Sequence, residues 1–143
     1  MKRSKVREIV LKALYAREIG NNDPETIFEY ILQEEKKLND SKESKLAFGK
    51  ALLNGVINNI EKLDNMLGSY TIEWKLARID AVDRNILRMG LYEMLFDNDI
   101  PNAVVLNEVI ELAKKYGTND SSRFINGILG KINNDLDRKN EGG

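Results

Sequence analysis

No cysteine and no histidine occur among the 143 residues. The missing thiols exclude a disulfide scaffold, a Cys-ligated zinc or iron–sulfur site and a thiol nucleophile. The missing imidazoles exclude His-based triads and most transition-metal sites. Any catalysis would have to rest on carboxylates, Lys, Ser or Tyr. Proline occurs only twice and aromatic residues make up 7% of the chain, a composition that favours helices over a β-sandwich. There is neither an apolar run of about 18 residues nor an N-terminal apolar segment of signal-peptide type, so we expect a cytoplasmic protein without a membrane anchor. An excess of one charge is also lacking. Lys plus Arg number 22 and Asp plus Glu 23, for a net charge of −1. Nucleic acid would therefore have to be held by a local basic patch and not by a global field.

What is present is helical periodicity. Val6, Ile9, Val10, Ala13 and Leu14 fall at i, i+3, i+4, i+7 and i+8, one buried stripe that Gly20 closes. Asp23-Pro24-Glu25 reads as a capping carboxylate, a proline at the first helical position and an acid at the positive end of the helix dipole. The helix it opens carries Ile27, Phe28, Ile31 and Leu32 inward and is expected to break at residues 39–41. A longer pattern through Leu46, Leu53, Val56, Ile60, Leu63 and Leu67 predicts the longest helix, ending at Gly68. These three helices suggest one small bundle over residues 1–68, with a hinge after it.

A short turn around Trp74 and Leu76 opens the second half. Asp80 can cap a helix with Asp83 in its first turn and Val82, Ile86, Leu87, Leu91 and Met94 inward. Pro101 begins a helix that buries Val105, Val109, Leu112 and Ala113 and stops at Gly117. Asn119 or Asp120 caps the last helix, which buries Ile125, Ile128, Leu129, Ile132 and Leu136. Gly127 and Gly130 lie inside it at a cost of about 1 kcal/mol each, and close backbone contact is the expected reason. The expected architecture is all-α: a helical bundle of two packed three-helix subdomains, residues 1–68 and 69–137, with a flexible tail over 138–143.

Several apparent motifs fail on spacing. Gly127 and Gly130-Lys131 are too close for a phosphate loop and no hydroxyl follows the lysine. Asp97-Asn98-Asp99 runs into Ile100-Pro101 where a calcium loop needs an oxygen ligand and a glycine. Glu108 with Glu111, and Asp80 with Asp83, lack the histidine that a di-metal bundle uses. Neither a metal nor an organic cofactor is expected, and a carboxylate-only hydrolase finds no support in spacing.

The N-terminus is more informative. Lys2, Arg3, Lys5 and Arg7 place four cations in a short stretch of a nearly neutral chain. At about 100° per residue, Arg3, Arg7, Leu11 and Tyr15 form one ridge that drifts off the buried stripe. We expect its Leu and Tyr to be exposed toward a partner protein and its guanidinium groups to pair with phosphates or stack on bases. Phe124 sits about 100° from the centre of its helix stripe, beside Arg123 and in a first turn whose N–H groups favour anions. Packing and base stacking are both open to it.

The basic start with Ala13-Leu14-Tyr15, the segment Asp83-Arg84-Asn85-Ile86-Leu87-Arg88-Met89-Gly90-Leu91-Tyr92-Glu93, then Ile100-Pro101 with Asn107-Glu108-Val109-Ile110-Glu111-Leu112-Ala113-Lys114, and finally Asp120-Ser121-Ser122-Arg123-Phe124-Ile125-Asn126-Gly127-Ile128-Leu129 occur in a specific order. Together they resemble the NusB family of transcription antitermination proteins over nearly the whole chain. The resemblance implies a non-enzymatic protein that binds the single-stranded boxA element of nascent RNA. It does so with NusE, a small-subunit ribosomal protein, within the RNA polymerase antitermination complex of other Nus factors, chiefly on ribosomal RNA operons. It implies RNA contacts at Lys2, Arg3, Lys5, Arg7, Tyr70, Asp120, Arg123 and Phe124, and NusE contacts at Tyr15 and Asp83. Ser4 replaces a basic residue of many relatives, which thins the patch. A purely protein-binding bundle is the competing expectation, since related domains occur fused to RNA methyltransferases, whereas this chain ends soon after Leu136. The free protein is expected to be a monomer or a homodimer.

Overall fold

The computed structural model describes residues 2–36, 43–71, 75–97 and 99–142. Among them are seven α-helices and no strand: α1 (Arg3–Gly20), α2 (Pro24–Lys36), α3 (Glu43–Asn58), α4 (Ile60–Gly68), α5 (Ala81–Phe96), α6 (Asn102–Tyr116) and α7 (Ser121–Gly142), with a 3-10 turn at Leu76–Arg78 before α5. The chain forms two compact units, Met1–Asn58 and Asn59–Gly143.

In the first unit α1 packs on both α2 and α3. Its stripe of Val6, Ile9, Val10, Ala13 and Leu14 is buried, as the periodicity requires. Asn21, not Gly20, takes the left-handed conformation that ends α1, at φ 54°, a region asparagine tolerates better than most side chains. Asp23 caps α2 as expected: its Oδ2 accepts from the Thr26 backbone N–H at 3.1 Å and from the Thr26 hydroxyl at 2.6 Å. Phe28 and Leu32 point inward from α2, and Leu52, Leu53 and Val56 from α3. Gly49 of α3 lets these helices meet, because a Cβ there would stand 2.6 Å from both Phe28 Cζ and Val6 Cγ1. The break expected at residues 39–41 and the turn residue Trp74 lie outside the described residues.

The long helix expected through Leu67 is two helices. Asn59, at φ −117° and ψ 15°, interrupts it, and the consecutive Asn58 and Asn59 are poor helix formers whose side chains compete for backbone hydrogen bonds. The division between compact units therefore falls at Asn58–Asn59, and the hinge expected at Gly68 lies inside the second unit. There α4 packs on α5.

The second unit is built around α5, whose residues 85–91 are buried without interruption; a helix enclosed on all faces has to sit in the middle. Asp80 caps it, accepting from the Asp83 N–H at 2.9 Å. Arg88 is held by a two-pronged pair with Asp64 of α4, Nε to Oδ1 at 2.8 Å and Nη2 to Oδ2 at 2.8 Å, and donates from Nη1 to Asn85 Oδ1 at 3.1 Å. α6 and α7 complete the unit through Val105, Val109, Leu112 and Ala113, and through Ile125, Ile128, Leu129 and Ile132. Their close approach is at Gly90 of α5, where a Cβ would meet Leu129 Cδ1 at 2.7 Å and Val109 Cγ2 at 3.3 Å. The tight backbone contact expected at Gly127 and Gly130 is absent: a Cβ on Gly127 meets nothing within 4 Å, and one on Gly130 only Asn126 Oδ1 at 3.8 Å. α7 continues to Gly142 instead of fraying after Leu136. No proline stops it.

These glycines predict opposite outcomes in chemical denaturation. Gly127→Ala fills open space on a helix and should stabilise the protein by about 0.5–1 kcal/mol. Gly49→Ala forces a methyl group into Phe28 and Val6 and should destabilise it by about 1–3 kcal/mol.

Candidate nucleic-acid interface

The first unit presents the four N-terminal cations in different states. Lys2 is exposed at the start of α1. Lys5 Nζ lies 3.6 Å from Glu35 Oε1 of α2, with both side chains about one-third exposed. Arg3 is half-exposed, its guanidinium carbon 4.5 Å from the centre of the Phe48 ring of α3. Arg7 is 3% exposed and its guanidinium carbon stands 5.0 Å from the same ring. The ridge expected to leave the core therefore does so late: Leu11 is also only 3% exposed. Tyr15 is 41% exposed, and Ile19, one turn further, is exposed as well. Phe48 was not singled out from the sequence. Its significance depends on α1 and α3 lying side by side, which no local pattern records.

The second unit brings Asp83, Asp120 and Phe124 to one cleft of about 370 Å³, with Thr118, Ser121 and Arg78 also in its wall. Phe124 is half-exposed in the first turn of α7 and lines the cleft. Arg123 and Asp120 are exposed, and Arg123 does not line the cleft. Ser121 is the knot: its hydroxyl accepts from the Thr118 N–H at 2.8 Å and donates to Asp83 Oδ2 at 3.0 Å. Tyr70 lies apart from that cleft, half-buried, its hydroxyl donating to Asp135 Oδ2 of α7 at 2.6 Å. That bond, then burial, then the Asp135 charge hold the phenol above its ordinary pKa.

Asp83 departs from expectation. The resemblance implies a NusE contact at this first-turn carboxylate, but Asp83 is 6% exposed and its Oδ1 is buried with no hydrogen-bond partner. Asp83 follows the cap by one turn, and α7 closes over it through Ser121. Burial raises its pKa, the Ser121 hydroxyl partly opposes this, and the Asp80 carboxylate raises it further. Because the folded state holds this proton more tightly than the unfolded chain does, Asp83 makes the fold less stable as pH rises from the ordinary carboxyl range through the raised value. Asp83→Asn keeps an acceptor for Ser121 and removes the buried charge. It should raise the midpoint of thermal unfolding at neutral pH and flatten this part of the pH profile; an unchanged profile would show that Asp83 is not the titrating group.

Among the described residues no group of three His, Cys, Asp or Glu side chains could hold a metal ion, and no helix is long and apolar enough to cross a membrane. The geometry thus defines an all-helical bundle protein of two compact units. Residues 4–134 match the NusB family. The chain is 41% identical over 137 residues to the transcription antitermination protein NusB of Bacillus licheniformis, covering 96% of this chain and 100% of that one. It is 40% identical over 131 residues to the protein of that name from Fervidobacterium nodosum, covering 92% and 89%. Among solved structures, Thermotoga maritima NusB superposes with a TM-score of 0.81 at 38% identity over 92% of this chain and 90% of that one. A crystal structure of the antitermination factors NusB and NusE in complex with double-stranded RNA superposes at 0.78 with 25% identity, over 92% and 97%. The chain belongs to the NusB family.

Proposed function

We propose that this chain is a non-enzymatic, RNA-binding transcription antitermination factor. It binds boxA-type single-stranded RNA together with NusE and, with RNA polymerase and other Nus factors, sustains transcription of ribosomal RNA operons in the cytoplasm. The observation that carries this reading is the match to the NusB family over residues 4–134, whose Bacillus licheniformis and Fervidobacterium nodosum relatives are named for antitermination. The relative crystallised with NusE and RNA supports both partners.

In this reading each unit supplies its own contacts. Lys2, Arg3 and Lys5 in the first, and Arg123 in the second, pair with phosphates. Arg7, being buried, contributes through what it packs against. Phe124 offers a ring face from the cleft wall, Asp120 stands at the same rim as an acceptor for base amino groups, and Tyr70 offers a half-exposed ring beside Asp135. Tyr15 with Ile19 gives NusE an amphipathic aromatic contact of the kind enriched in protein interfaces. Asp83, held inward by Ser121, serves that partner only by fixing the start of α7 against α5.

Fluorescence anisotropy tests the assignment with a boxA-type single strand and the same sequence as a duplex, each with and without NusE. The single strand should bind more tightly, and NusE should tighten it further. Arg3→Ala should lower the slope of log K against log salt by about 0.7, the contribution of one phosphate on a single strand. Phe124→Ala should cost about 1–3 kcal/mol if the ring stacks a base. A silent Phe124→Ala would return the ring to packing, and no gain from NusE would overturn the adaptor role.

A further inference from the structure

Arg3 and Arg7 lie one turn apart on α1, and both guanidinium groups converge on a single ring, Phe48 of α3, at 4.5 and 5.0 Å from its centre. Nothing in simple core packing calls for this. Leu52 and Leu53, one turn further along α3, are fully buried, whereas Phe48 is half-exposed and meets two cations. Two like charges one turn apart on a helix repel each other. The negative face of an aromatic ring offsets that repulsion and holds a planar guanidinium in a preferred orientation. The two arginines differ in accessibility: Arg7 is 3% exposed, while Arg3 is half-exposed. The inner arginine and the ring are thus placed to form a platform, and the outer arginine is the one able to reach a ligand.

We propose that Phe48 is a positioning residue for RNA-backbone binding: together with Arg7 it holds the Arg3 guanidinium ready to meet a phosphate. This inference rests on the RNA-binding role argued above. It divides labour between two arginines that look equivalent in the sequence, giving Arg3 the phosphate and Arg7 the platform. An arginine already oriented loses less freedom when it binds a phosphate, so the gain belongs to affinity and not to the number of ions released.

The experiment is a double-mutant cycle on the full chain, read by anisotropy with a boxA-type single-stranded RNA across a salt series. Phe48→Leu should weaken binding about two- to fivefold, the equivalent of about 0.5–1 kcal/mol at 1.4 kcal/mol per factor of ten. It should leave the salt slope unchanged, because Arg3 still reaches the phosphate. In the Arg3→Ala background Phe48→Leu should have no further effect, and Phe48→Tyr should bind like the wild type. Equal losses in the two backgrounds would overturn the proposal and make Phe48 a packing residue or a direct base contact. If Phe48→Leu does not fold, tetrafluorophenylalanine at position 48 keeps the ring volume while drawing electron density from its face, and the same cycle applies. Failure of the wild-type chain to bind the RNA would overturn the RNA reading and this inference with it. Additive losses with intact wild-type binding would overturn this inference alone.

Discussion

The second unit depends on keeping α5 enclosed while it carries charge. Arg88, Asp83, Asn85 and Glu93 are all buried along it, and an ionised side chain taken out of water needs a partner of good geometry. Arg88 has one in Asp64, which ties α4 to α5. Asp83 has half of one in Ser121, which ties the start of α7 to the start of α5. The cleft beside Phe124 exists because these two helix starts are held together. The same bond that positions the cleft wall leaves one carboxylate oxygen unsatisfied, so the site carries a local energetic cost that a purely structural helix junction would avoid.

Much of the fold was legible because it is local. The carboxylates at Asp23 and Asp80 announce their helices three residues before the bonds they accept, and each stripe of apolar residues names the face that is buried. The failures share one cause. The periodicity from Leu46 to Leu67 survives the break at Asn59 because both pieces bury an apolar face, so hydrophobic spacing could not reveal that the second piece serves a different core. Gly127 and Gly90 look alike in a sequence, but only Gly90 faces neighbouring helices at close range. The exposed ridge of α1 was traced by angle alone, and angle does not say how much of it is covered.

The candidate site was legible in residue type more than in state. Cations at the start of α1 and an Arg-Phe pair at the start of α7 stand out in a chain of net charge −1. That Asp83 points inward is decided by Ser121, which lies 38 residues away. That the Arg7 guanidinium lies on an aromatic ring depends on Phe48 of another helix. Neither partner can be found by reading along one helix, and both convert an apparently free charged group into a held one.

Electrostatics distinguishes the cations able to meet a phosphate from those committed to the fold. Arg88 is nearly enclosed and paired at 2.8 Å through both prongs of its guanidinium; withdrawing it would break that pair and leave the Asp64 carboxylate without its partner. It is unavailable to a ligand, although it lies in a segment shared with the family. Lys5 and Glu35 are 3.6 Å apart and substantially solvated, a pair worth about 0–1 kcal/mol that a phosphate can replace with little loss. Arg3 is held by a ring, and a ring face leaves the hydrogen-bond donors at the guanidinium edge free to meet oxygen atoms. A nearly neutral protein can therefore offer cations to an anionic strand without a strongly positive surface, provided those cations are held by contacts that leave their donors free or that a phosphate can replace.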